Sequence, residues 1–104
     1  MKSSATLLGM TTDRPKRLTE AKARAVADAA RIVKAPSWST TREWDVEAED
    51  GAVLLVVVPA YRAGSRGGWT YRLEASAAAG RWPTREAAAV QGLMAWIRWV
   101  TAPR

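Results

Sequence analysis

Residues 38–58 read WSTTREWDVEAEDGAVLLVVV, and the fold turns on this stretch. Trp38, Thr40, Arg42, Trp44, Val46 and Ala48 alternate with Ser39, Thr41, Glu43, Asp45 and Glu47, which is the two-residue period of a half-buried strand. Asp50-Gly51 supplies residues that tolerate positive φ, the requirement of a tight hairpin turn. Ala52–Val58 is apolar throughout and ends at Pro59, so it is expected to be a central strand with both faces covered.

Working outward, residues 61–68 contain Gly64, Gly67 and Gly68, too much glycine for an element interior, and a loop is expected there. Trp69, Tyr71, Leu73 and Ala75 alternate with Thr70, Arg72 and Glu74, giving a third strand. Thr84 is a good helix cap, and a second helix runs from there to about Val100, with Ala87, Val90, Met94 and Ile97 as its core stripe. On the amino-terminal side, Leu18, Ala21, Ala25, Ala29, Ile32 and Val33 recur at steps of three and four, predicting a first helix from Asp13 to Ala35-Pro36. Residues 1–12 have no packing face and are expected to form a flexible lead to a single domain over 13–104. The fold class that follows is α+β, a two-layer αβββα domain with a three-stranded antiparallel sheet and two helices.

This element order is similar to that of double-stranded RNA-binding domains, whose first helix, connecting loop and second-helix start lie across successive grooves. The place where that family carries a phosphate-holding lysine stretch reads Gly80-Arg81-Trp82-Pro83-Thr84-Arg85-Glu86. The hairpin that the family inserts into the minor groove is acidic here at Glu47, Glu49 and Asp50. The likeness is therefore one of element order, and no functional residue is carried over.

The 104 residues include no His and no Cys. Disulfides, thiolate nucleophiles, iron–sulfur sites and imidazole ligands for zinc or haem are excluded, and so is histidine as a general base. These absences point away from an enzyme and from any cofactor or metal. No stretch approaches the ~20 apolar residues of a membrane-spanning helix, which predicts a cytoplasmic protein without a membrane partner.

The formal net charge is +6, a balance that favours acidic partners. It is unevenly spread: residues 37–60 carry one positive and five negative side chains, between two basic thirds. On the first helix, Arg17, Glu20, Arg24, Asp28 and Arg31 alternate in sign at steps of three and four, the pattern of a self-paired solvent face. Lys16, Lys22 and Lys34 are left without an obvious partner in that series. Arg62, Arg66, Arg72, Arg81 and Arg85 have only Glu74 and Glu86 among them, and Arg81 and Arg85 flank the start of the second helix, where free N–H groups favour an anion. These five are the candidate nucleic-acid contacts, with Tyr61, Trp69 or Trp82 available for base stacking wherever they are exposed.

Two candidate protein interfaces stand against that reading. Glu43, Asp45 and Glu47 project on one side of a strand at ~6.8 Å intervals, the order of a phosphate repeat. They splay too far for a hard metal ion. The second helix leaves a face of Ala88, Ala89, Gly92, Trp96 and Trp99, suited to a partner chain, most simply a second copy in a homodimer. The leading expectation is a small non-enzymatic protein acting on nucleic acid or a nucleoprotein complex through its arginines. The alternative is a protein-binding inhibitor of the kind phages and mobile elements encode against nucleases and CRISPR complexes, working through the acidic strand or the Trp-rich helix.

Overall fold

The Asp50-Gly51 turn forms where the sequence places it: Gly51 N donates to Ala48 O at 2.9 Å and Ala48 N to Ala52 O at 2.8 Å, with Asp50 Oδ1 accepting from Ala52 N. The computed structural model describes residues 17–62, 64–73, 76–77 and 80–103; the flexible lead expected over 1–12 lies outside them. In chain order the elements are α1 (Glu20–Asp28), β1 (Arg31–Lys34), α2 (Trp38–Thr41), β2 (Trp44–Glu47), β3 (Val53–Arg62), β4 (Ser65–Leu73), β5 (Ser76–Ala77) and α3 (Arg85–Thr101). The strands form one antiparallel sheet in the order β1-β2-β3-β4-β5, four main strands and a fifth of two residues.

The class is α+β with an antiparallel sheet, but the sheet is not three-stranded and the helices are not two. The expected first helix is divided. Thr19 caps α1 by accepting from Lys22 N at 3.3 Å, and the helix ends at Asp28. Ile32 and Val33 then pair with Val46 and Asp45 in β1. An alanine-rich run fits a helical period whatever it packs on, whereas adjacent β-branched residues favour a pleated surface.

The expected strand over 38–48 is divided as well. Ser37 and Thr41 bond each other's backbone and side chains, with Thr41 Oγ1 donating to Ser37 O at 3.0 Å. This local competition for backbone groups closes a helical turn, α2. β2 begins only at Trp44.

β3 is the central strand, as its apolar run implies, yet it passes through Pro59 to Arg62. The ladder shifts register between Pro59 and Tyr61, and proline is tolerated beside such an irregularity. The glycine-rich segment is not a loop: Arg62 pairs with Ser65, and Gly67 and Gly68 lie inside β4. Gly68 has φ 90°, and a Cβ there would stand 2.7 Å from the Trp82 carbonyl oxygen, because Trp69 and Trp82 exchange backbone hydrogen bonds of 2.8 Å. A side chain would break that contact.

α3 matches its expected limits, with Thr84 Oγ1 accepting from Ala87 N at 3.0 Å. Its buried stripe does not. Ala88, Ala89, Gly92, Trp96 and Val100 face the core, while Val90 and Met94 are 55% and 48% exposed. At Gly92 an added Cβ would meet Leu55 Cδ1 at 2.7 Å and Tyr71 Cγ at 3.1 Å, so the helix lies down on β3 and β4 where its side chains are smallest. Val46, Leu55 and Val57 meet this stripe, Ala23 of α1 completes the core, and Leu18 N donates to Val100 O at 2.9 Å. Among the described residues, helix covers β3 on one face only. Its opposite face carries half-buried Val56 and Val58.

Candidate nucleic-acid interface

Three cations and two indoles gather where β1, α2, β2 and α3 meet. Lys34 ends β1 opposite Trp44 in the ladder. α2 carries Trp38, and Arg42 terminates that turn in the left-handed region at φ 60°, its amide donating to Trp38 O at 2.8 Å. The reversal returns the Arg42 guanidinium over the Trp38 ring, 4.3 Å from its centroid, while Lys34 Nζ lies 4.0 Å from the same ring. Trp38 meets Trp44 edge to face at 5.8 Å and 75°. Arg85, the first residue of α3, lies over Trp44 at 3.8 Å.

Each cation–indole contact contributes about 0.5–1 kcal/mol at an exposed site. Stacking also presents a guanidinium's N–H edge outward, the geometry that matches a phosphate. Arg85 Nε donates to Glu86 Oε2 at 2.8 Å, which holds the Glu86 carboxyl below its ordinary pKa. Two local costs coincide here: the left-handed Arg42 and a buried Trp38 Nε1 without a hydrogen-bond partner. Costs of this kind concentrate at functional sites.

Of the five arginines expected to act together, only Arg85 belongs to this cluster. Arg72 lies on the opposite face of the sheet, where its Nη2 donates to Glu43 Oε1 at 3.4 Å. Arg62 and Arg66 sit at the far end of the β3–β4 hairpin beside exposed Tyr61. Arg81 is exposed beside Trp82. Trp69 and Trp82 pack against the core, Trp82 stacking on Tyr71 at 5.6 Å.

The acidic residues share a face, as their alternation implies, but not as an open stripe. Glu43 is taken up by Arg72, Asp45 is only 9% exposed, and Glu47 stands opposite Arg31 in the ladder. Burial, then Glu47 and Glu43, raise the Asp45 carboxyl above its ordinary pKa, with Arg72 pulling the other way. Trp96, 6% exposed, is core rather than interface, and Trp99 packs partly buried against it. Gly92 explains the inversion, since the small residues read as room for a partner chain are where the sheet itself approaches.

Sequence reasoning missed Lys34, Trp38, Arg42 and Trp44 as a unit. A Lys-x3-Trp-x3-Arg-x-Trp run was visible, but reading Trp38–Ala48 as one strand spread its members along a face. The self-paired face of the first helix holds in part: Arg24 Nε donates to Glu20 Oε2 at 3.1 Å.

A cavity of about 640 Å³ opens between α1 and the Asp50-Gly51 turn, walled by Leu18, Ala25, Val26, Leu54 and Trp96 with Glu49 and Asp50 at its rim. Its walls are apolar, and its carboxylates lie only at the rim. Among the described residues, no group of three or more acidic side chains converges as a metal site, and no helix is long and apolar enough to cross a membrane. No protein-family model, curated protein or solved structure matches the chain.

Proposed function

We propose that this protein is a non-enzymatic nucleic-acid-binding protein whose contact surface is the cation–indole cluster of Lys34, Arg42 and Arg85 at the amino end of α3. The observation that carries this reading is that all three cations lie over the Trp38 and Trp44 rings, 3.8–4.3 Å from their centroids. Cations held in this way lose little side-chain freedom on meeting a phosphate. The capped start of α3 adds the favourable end of a helix dipole beside Arg85. Guanidinium planes also stack on unpaired bases, so single strands suit the surface better than duplex. The buried and ion-paired state of Asp45 and Glu43 gives less support to an inhibitor acting through an acidic stripe.

The test is a titration of labelled single- and double-stranded DNA and RNA at several salt concentrations. Three phosphate contacts predict a log–log salt slope of about −2 to −3. Arg85→Ala and Lys34→Ala should each make that slope shallower by about one unit. Changing Arg62 and Arg66 at the distant hairpin end should leave most of the affinity in place. Absence of binding to all four nucleic acids, or binding indifferent to Lys34 and Arg85, overturns the proposal.

A further inference from the structure

The exposed side of α3 carries an ordered pattern that the core does not use. Glu86, Val90, Met94 and Arg98 recur at every fourth residue and form one ridge along the helix. All four are exposed, Val90 and Met94 at 55% and 48%. Ala87 and Ile97, both half-buried, extend the apolar strip on either side. The ridge reads acid, apolar, apolar, base along the chain.

That order is self-complementary under a two-fold axis. When two copies of α3 lie antiparallel about a point between Val90 and Met94, each Val90 meets the other copy's Met94. At the same time each Glu86 meets the other copy's Arg98, and each Ala87 meets the other's Ile97. Glu86 uses only Oε2 for Arg85, which leaves Oε1 for an incoming guanidinium. Arg98 has no carboxylate partner among the ion pairs of the described residues. A parallel arrangement would instead stack like charges at both ends.

We infer that this protein forms an antiparallel homodimer through the Glu86–Val90–Met94–Arg98 ridge of α3. The occupant of the exposed apolar face is a second copy of the chain, because the ridge supplies both halves of its own charge and apolar complement. A ridge of this length makes a small interface, so the dimer forms with moderate affinity and dissociates on dilution. Pairing in this register sets the two Arg85 side chains roughly 21 Å apart along the helix axes, from fourteen residues at about 1.5 Å each.

The experiment is sedimentation equilibrium of the full chain across the micromolar to millimolar range, which reads association without any nucleic acid. The native chain should show a reversible monomer–dimer equilibrium. Met94→Glu, which sets a carboxylate against apolar Val90, should weaken it by about tenfold or more. Glu86→Arg alone and Arg98→Glu alone should each favour monomer by juxtaposing like charges, while an equimolar mixture of E86R and R98E should recover a heterodimer. Circular dichroism on each variant separates loss of pairing from loss of fold. A native chain that stays monomeric throughout, a dimer indifferent to Met94→Glu, or folded single variants that fail to pair when mixed would each overturn the inference.

Discussion

Arg42 holds φ 60° and ψ 24° and is the sole positive-φ residue other than glycine among the described ones. An L side chain in that region costs about 1 kcal/mol, which glycine avoids. Arg42→Ala and Arg42→Gly remove the same guanidinium and differ only in that backbone cost. The glycine variant should therefore be the more stable by about 1 kcal/mol in urea unfolding, while both bind nucleic acid equally weakly. Equal midpoints would mean that the turn relaxes in solution. Asp45 invites a different test. Its carboxyl is raised above the ordinary 3.8 by burial, Glu47 and Glu43, so the folded chain holds this proton more tightly than the unfolded one. The cost of ionising it is absent below the ordinary value and present in full above the raised one. Asp45→Asn keeps the shape without the charge, and should exceed the native chain in stability at neutral pH by a margin that closes under acid. A variant weaker than the native chain at neutral pH would show instead that attraction to Arg72 outweighs burial.

The helix α3 shows how one element's composition selects its own buried side. Of its expected core stripe of Ala87, Val90, Met94 and Ile97, Val90 and Met94 face outward, while Ala87 and Ile97 are half-buried. Ala88, Ala89 and Gly92 let the backbone approach β3 and β4, and Trp96 and Val100 then fill the space beyond. Gly92→Val should cost about 2 kcal/mol or more, because Leu55 is itself buried and cannot yield. An unchanged denaturation midpoint would mean that α3 sits further from the sheet. α1 and β1 teach the complementary lesson. Leu18, three alanines, Ile32 and Val33 satisfy a helical period over the whole run, and only the β-branched pair at its end marks the change of element. In α2, Ser37 and Thr41 carried a local signal for a turn, but the alternation of Trp38 with Trp44 concealed it.

Across the whole molecule, β3 is bonded on both sides and lies over α3, whereas β5 has two residues and α2 is a single turn. Native-state hydrogen exchange should find the slowest amides over Leu55–Val58. Those of β5 and α2 should open at free energies lower by several kcal/mol. A uniform exchange profile would contradict a sheet centred on β3. The same organisation parts the charges, setting Glu43 and Arg72 on one face of the sheet and Arg85 on the other, so that residues near in sequence act on opposite sides. What the sequence by itself determined was the α+β class, the turn at Asp50-Gly51, the central strand, the cap and limits of α3, and the absence of imidazole and thiol chemistry. Each of these is written within a few residues, as a cap, a turn pair, a period or a missing functional group. Only the tertiary structure decided that Arg31–Lys34 is a strand, which side of α3 is buried, and that Lys34, Arg42 and Arg85 share two indoles. Those outcomes depend on sheet register and on how closely backbones approach, and both are set by contacts between segments distant along the chain.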